Sequence, residues 1–123
     1  MRRSGNRRPE RVAALIQETL ASALTTQVKD PRIGFATLTG VTVAPDYSHA
    51  TVRVSVLGTE EEKSGAVEGL QSAGGFLRSV LARALPLRTV PELHFVLDRS
   101  LEHARRIDEL LSVDEGDEGK GKA

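Results

Sequence analysis

Leu70-Gln71-Ser72-Ala73-Gly74-Gly75-Phe76-Leu77-Arg78 is the stretch on which the fold turns. Before it, Ala66, Val67, Leu70 and Ala73 recur at helical spacing. After it, Phe76, Leu77, Val80, Leu81, Ala84 and Leu85 do the same, until Pro86 sets a limit. Apolar residues at this period mark the buried stripe of an amphipathic helix. The Gly74-Gly75 pair therefore separates two short helices rather than ending one. Glu60-Glu61-Glu62 supplies negative charge at the first turn of the earlier helix, where the helix dipole favours it.

Upstream of this pair, Ala50, Val52, Val54 and Val56 alternate with Thr51, Arg53 and Ser55, the pattern of a half-buried strand. Ala36 to Val43 reads as a second strand with Gly40 as a bulge. Ala44-Pro45-Asp46-Tyr47-Ser48 is the turn that joins the two strands into an antiparallel hairpin. Still earlier, Val12, Leu15, Ile16, Thr19, Leu20, Ala23, Leu24 and Val28 predict a first helix. Pro9 suits its first turn, and Asp30-Pro31 ends it, because the residue before proline is pushed out of the helical region. Downstream, Leu93, Phe95 and Leu97 alternate in a third strand from Glu92. Ser100 is a candidate N-cap for a short last helix with Ala104, Ile107 and Leu111 inward.

The predicted order is helix, strand, strand, helix, break, helix, strand, short helix. Such an order closes as a two-layer α+β sandwich with three strands and the helices over one face. A length of 123 residues suits one domain. Residues 1–8 read as a flexible basic arm, 9–111 as the folded domain, and 112–123 as a disordered acidic and Gly-rich tail.

The chain has no cysteine, so disulfides, thiolate nucleophiles and cysteine metal ligands are excluded. No apolar run is long enough to span a membrane, and no secretory signal is recognisable. Lys plus Arg and Asp plus Glu both total 17. The cancellation is global and not local. Arg2, Arg3, Arg7, Arg8 and Arg11 face Glu10 alone, and Arg78, Arg83, Arg88, Arg99, Arg105 and Arg106 outnumber Glu92, Asp98 and Glu102. A phosphate backbone meets the local face. The preference for Arg over Lys suits bidentate phosphate contact, and equally suits codon bias in a GC-rich genome.

These strings together resemble the ribosome-binding factor A family, bacterial small-subunit maturation factors with a type II KH fold. The resemblance rests on Arg8-Pro9-Glu10-Arg11-Val12, Lys29-Asp30-Pro31-Arg32-Ile33-Gly34, the 70–78 stretch, and Leu87-Arg88-Thr89-Val90-Pro91-Glu92-Leu93 leading to Phe95, Asp98 and Ser100. The family's Ala-x-Gly kink maps onto Ala73-Gly74-Gly75. The Gly-x-x-Gly loop of ordinary KH domains, which clamps a short single strand, is missing between the paired helices, so recognition of folded RNA is favoured. The resemblance implies binding to the free 30S subunit and its 16S rRNA, support for late maturation and 5′-end processing, and a role in growth at low temperature. It also implies release by a ribosome-associated GTPase, and a cytoplasmic monomer.

The expected RNA-binding residues are Ala73, Gly74, Gly75, Arg78, Arg83, Arg88, Arg8, Arg11 and Arg32. Each has a plainer reading. The glycines would serve close helix packing, and the arginines a solvated face. Lys29 is better placed to complement the dipole of the first helix. Glu102/Arg106 and Arg105/Glu109, four apart, read as helix salt bridges. The histidines, His49, His94 and His103, share no metal-ligand spacing on one element, so no metal, cofactor or catalytic residue is expected. A site gathering His94, His103 and Asp98 would speak for an enzyme. The uncovered sheet face with Thr51, Arg53 and Ser55 would serve a protein-interaction module.

Overall fold

A computed structural model describes residues 8–34, 36–100, 102 and 106–111. The expected basic arm before Arg8, the tail 112–123, and the assignments made to Ala104, His103 and Arg105 lie outside the described residues.

The element order is α1 (Pro9–Thr26), β1 (Ala36–Val43), β2 (His49–Val56), α2 (Glu60–Ser72), α3 (Gly74–Ala84) and β3 (Glu92–Leu97). The three strands form one sheet in the order β1-β2-β3. The hairpin is antiparallel, and β3 runs parallel to β2 after the α2–α3 crossover. Residues 100, 102 and 106–111 are helical. The expected α+β sandwich is the observed one.

Strand alternation sets the layers. Ala50, Val52, Val54 and Val56 of β2 point inward with Leu93 and Phe95 of β3. Ile16 and Leu20 of α1, Leu70 of α2, and Leu77 and Leu81 of α3 meet them, all fully buried. Truncating any of these leucines to alanine would cost about 2–5 kcal/mol, since transfer energy and a residual cavity add. The register shifts between Leu38 and Gly40, the expected bulge. A side chain at Gly40 would collide with the Arg53 guanidinium lying over it.

The helix ends show local chemistry. α1 stops at Thr26, short of Pro31, where Thr25 and Thr26 hydroxyls donate to the Ser22 carbonyl (2.9 and 2.8 Å). Such back-bonding competes with continued helix. α2 opens with a reciprocal box: the Glu62 N–H donates to Thr59 Oγ1 (3.1 Å), and the Thr59 N–H to Glu62 Oε1 (2.7 Å). Gln71 closes the outer edge of β3. Its Nε2 donates to the Leu93 carbonyl (3.0 Å), and its Oε1 accepts from the Phe95 N–H (3.1 Å). One side chain thus satisfies the backbone groups of an otherwise unpaired edge.

Several expectations need correction. Phe76 is 43% exposed, and Ala84 is exposed as well, so the buried stripe of α3 is Leu77, Val80 and Leu81. Phe76 lies in the first turn of α3, where the new axis direction decides what faces the core. Ile107 and Leu111 are exposed rather than inward. Ser100 is itself helical, and its amide donates to Asp98 Oδ1 at 2.9 Å, so among the described residues Asp98 is the acceptor at this helix start. Glu102 pairs with Lys63 and with Arg99 (3.1 Å), not with Arg106. Arg99 also binds Glu60 (2.5 Å), so this four-residue network ties the C-terminal segment to α2. Glu60 holds the Arg99 guanidinium above its ordinary range, while Arg99 and Lys63 draw the Glu60 and Glu102 carboxyls down.

Candidate nucleic-acid interface

The turn between α2 and α3 is a single residue. Ala73 leaves the helix with φ −82° and ψ 2°, and Gly74 starts α3. Neither Gly74 nor Gly75 has a left-handed φ, and a side chain at either would meet nothing within 4 Å. Close packing therefore does not explain the pair. Ala73 provides no side-chain cap for α3. The first amides of a helix carry its positive dipole end and favour an anion. Gly74 is buried and Gly75 exposed, so an anion would reach that end from the Gly75 side.

The close approach falls one turn earlier, at Gly69. A Cβ there would stand 3.1 Å from Ile33 Cγ1, 3.3 Å from Asp30 Oδ2 and 3.4 Å from Arg32 Cβ. Gly69 lets the 30–33 loop lie against α2 just before the kink. Arg32 is thereby brought towards Ala73, but its charge is engaged. Its Nη2 is 2.7 Å from Asp30 Oδ2, its Nε lies 3.2 Å from both carboxylate oxygens, and its N–H donates to Oδ1 at 2.9 Å. The Asp30 carboxyl is held low by this guanidinium. In the sequence, the spacing of Gly65 and Gly69 has meaning only within a membrane, so nothing local marks Gly69. The signal that finds it is the juxtaposition of the 29–34 string with α2.

Arg78 is exposed, and its Nη2 donates to the Val90 carbonyl at 2.9 Å. It fixes the loop that delivers the buried Pro91 into β3, and it keeps further N–H groups for an external acceptor. Arg83 lies in the last turn of α3. At about 1.5 Å of rise per residue, Arg78 stands about 6 Å and Arg83 about 14 Å along the axis from Gly74. The kink and Arg83 therefore mark opposite ends of the helix, with Arg78 between. Arg88 is exposed in the following loop. At the start of α1, Arg8 and Arg11 are exposed. Among the described residues, Arg8, Arg11, Arg83 and Arg88 have no side-chain hydrogen bond or ion pair.

The opposite face of the sheet, Val96 of β3 apart, carries polar groups that bond to one another. Arg53 Nη1 donates to Thr42 Oγ1 (2.8 Å). The two Asp98 oxygens are taken by Thr39 Oγ1 (2.6 Å) and by Ser100, and the Ser100 and Thr39 hydroxyls hold that carboxyl down at about 2. Among the described residues, Asp98 is thus engaged by hydroxyls and an amide, and by no histidine. His49 and His94, 45 residues apart in sequence, meet across β2 and β3.

Among the described residues, no helix is long and apolar enough to cross a membrane. The family model described as "Ribosome-binding factor A" matches residues 8–111. The chain is 45% identical to ribosome-binding factor A of Thermomicrobium roseum over 104 residues, covering 85% of this chain and 81% of that protein. It is 43% identical to the Geobacter metallireducens protein of the same name over 113 residues, covering 92% and 96%. Among solved structures, it superposes on the crystal structure of ribosome-binding factor A from Thermus thermophilus with a TM-score of 0.66 at 29% identity, covering 72% of this chain and 93% of that one. A Thermus thermophilus model of this factor, fitted into the cryo-EM map of a 30S complex, superposes with a TM-score of 0.62 at 30% identity, covering 74% and 96%.

Proposed function

Because the chain belongs to the ribosome-binding factor A family, we propose that it binds the free 30S subunit through 16S rRNA and supports late maturation of that subunit without catalysing a reaction. In this role it supports 16S 5′-end processing and growth at low temperature, and a ribosome-associated GTPase releases it. The protein acts in this as a cytoplasmic monomer.

The observation that carries the reading is the contrast among its cations. Arg32, Arg53, Lys63, Arg78 and Arg99 hold partners within the chain, whereas Arg8, Arg11, Arg83 and Arg88 hold none among the described residues. Unpartnered guanidinium groups suit a phosphate backbone, and the start of α3, at the other end of the helix from Arg83, adds a second anion-favouring group. Ala73, Gly74 and Gly75 offer the amide end, and Arg78, Arg83 and Arg88 the flanking charge. Arg8, Arg11 and Arg32 extend it. Contacts of this kind position the protein on folded RNA and confer salt dependence.

The test is co-sedimentation with free 30S subunits, 50S subunits and 70S ribosomes at low and high salt. Binding to free 30S alone, weakening as salt rises, is expected. Absence of binding at low salt would refute the reading. A second reading, a docking surface for a ribosomal protein or a GTPase, is favoured by the uncovered sheet face around Thr51, Arg53 and Ser55. Binding through that face would survive RNase treatment of the partner.

A further inference from the structure

The parallel register of β2 and β3 sets His49 opposite Glu92 and Thr51 opposite His94. The Glu92 N–H donates to the Ser48 carbonyl at 3.0 Å, which fixes the two strand starts against each other. His49 alternates with the inward Ala50, and Glu92 and His94 flank the inward Leu93, so all three side chains rise from the outer face. Strands lie about 4.8 Å apart, and same-face neighbours about 6.6 Å apart along one strand, so three side chains in this arrangement converge readily.

Their donor atoms form a triangle. His49 Nδ1 and His94 Nε2 are 3.1 Å apart, and Glu92 Oε1 is 3.5 Å from the first and 3.7 Å from the second. A tetrahedral ion with bonds of about 2.0–2.2 Å to nitrogen and oxygen holds its ligand atoms about 3.3–3.5 Å apart. The three separations, 3.1, 3.5 and 3.7 Å, bracket that range, so small side-chain rotations bring the atoms onto one triangular face of such a tetrahedron, with the fourth vertex towards solvent. A hydrogen bond between the imidazoles would account for the nitrogen pair alone. One carboxylate oxygen stands nearly equidistant from both nitrogens, as a third ligand would. Two neutral imidazoles and one carboxylate carry a single negative charge and borderline-soft donors, which select a zinc-class dication over magnesium or calcium.

We infer that His49, Glu92 and His94 bind one zinc-class divalent ion on the outer face of the sheet, leaving its fourth position open to water or one external donor. The site lies on the face opposite the helices and is independent of the proposed RNA surface. Asp46, whose carboxylate accepts from the Ser48 hydroxyl at 2.7 Å, lies in the turn just before His49. The ion would clamp the start of β3 to β2. An ion that binds only the folded chain raises its stability in proportion to the logarithm of metal concentration.

The test is calorimetric titration of the full chain with zinc chloride, in a non-coordinating buffer, alongside thermal unfolding with and without zinc. One equivalent bound and a raised Tm are expected. Loss of a supporting contact to a metal ligand already weakens binding 10–100-fold, so His49→Ala and His94→Ala should each weaken it by more than ~100-fold. Glu92→Gln, nearly isosteric, should also weaken it, and His103→Ala should leave it unchanged. The side chains of His49, His94 and Glu92 are 54, 47 and 60% exposed, so these variants should fold, and circular dichroism checks it. Cobalt(II) gives a second readout: intense visible bands of tetrahedral type with the wild-type chain, absent from Glu92→Gln. No stoichiometric zinc binding by the wild type, or binding undiminished in either histidine variant, would overturn the proposal.

Discussion

Arg53 and Arg83 are the same side chain on opposite layers of the molecule, and they differ in what surrounds them. Arg53 lies across Gly40 and donates to Thr42, within a sheet face whose polar groups bind one another. Arg83 stands in the last turn of α3, and among the described residues it touches no acid and no acceptor. The polar groups of the open sheet face are thus bonded to one another, whereas the helical side presents charge that folding leaves unengaged. Composition cannot distinguish the two, because both count as basic residues in a chain of zero net charge. Only the partners do.

Reversing the unengaged charge should have the largest effect. Arg83→Glu with Arg88→Glu removes two phosphate contacts and adds repulsion. It should weaken 30S binding at low salt by ~10–100-fold while leaving Tm unchanged. Filter binding with labelled 30S subunits measures it, and undiminished affinity would place the interface elsewhere. Next comes Gln71→Ala, which strips the Leu93 carbonyl and the Phe95 N–H of their partner. Leaving such groups unsatisfied should cost about 1–3 kcal/mol in urea unfolding. An unchanged midpoint would show that water replaces the amide.

Arg53→Ala should do the reverse of the Arg83 change. It removes one hydrogen bond and the cover over Gly40, about 0.5–1.5 kcal/mol of stability, and leaves 30S affinity intact. A loss of affinity instead would mean that the sheet face also meets the ribosome. The smallest effect belongs to Asp98. Its carboxyl titrates at about 2 in the folded chain, below the 3.8 of an unperturbed group, because Ser100 and Thr39 hydrogen-bond the charged form. A depressed carboxyl contributes stability above its unfolded value, and that contribution fades as pH falls through the folded one. Asp98→Asn should therefore be less stable than wild type at neutral pH, and the gap should narrow between about pH 4 and 2 in thermal melts. A gap independent of pH would assign the effect to shape.

Much of this architecture is legible in the sequence because it rests on period. The stripe of α1, the alternation of β2 and the bulge at Gly40 follow from residues near one another in the chain. What is not legible depends on contacts between distant segments. Lys63 is buried because Glu102, 39 residues later, pairs with it. Gln71 looks like a solvent-facing helical residue until β3 arrives beside it. His49 and His94 acquire a relation only from the parallel register. Phe76 fits the helical period and is nevertheless exposed, because one residue of non-helical backbone at Ala73 redirects the axis. For the candidate interface, the sequence groups the arginines as one set. It has no means of separating Arg32 and Arg78, which hold partners, from Arg83 and Arg88, which hold none among the described residues.

In the proposed mode of binding, ribosomal RNA meets the α3 side and not the sheet. The chain lacks cysteine, so a single one gives a unique attachment point. Ala82→Cys, exposed and one turn from Arg78, and Ser55→Cys, on the open sheet face, would each carry a benzophenone and be irradiated on free 30S subunits. Position 82 should yield a 16S rRNA adduct and position 55 none. An adduct from position 55 with none from position 82 would contradict that mode of binding.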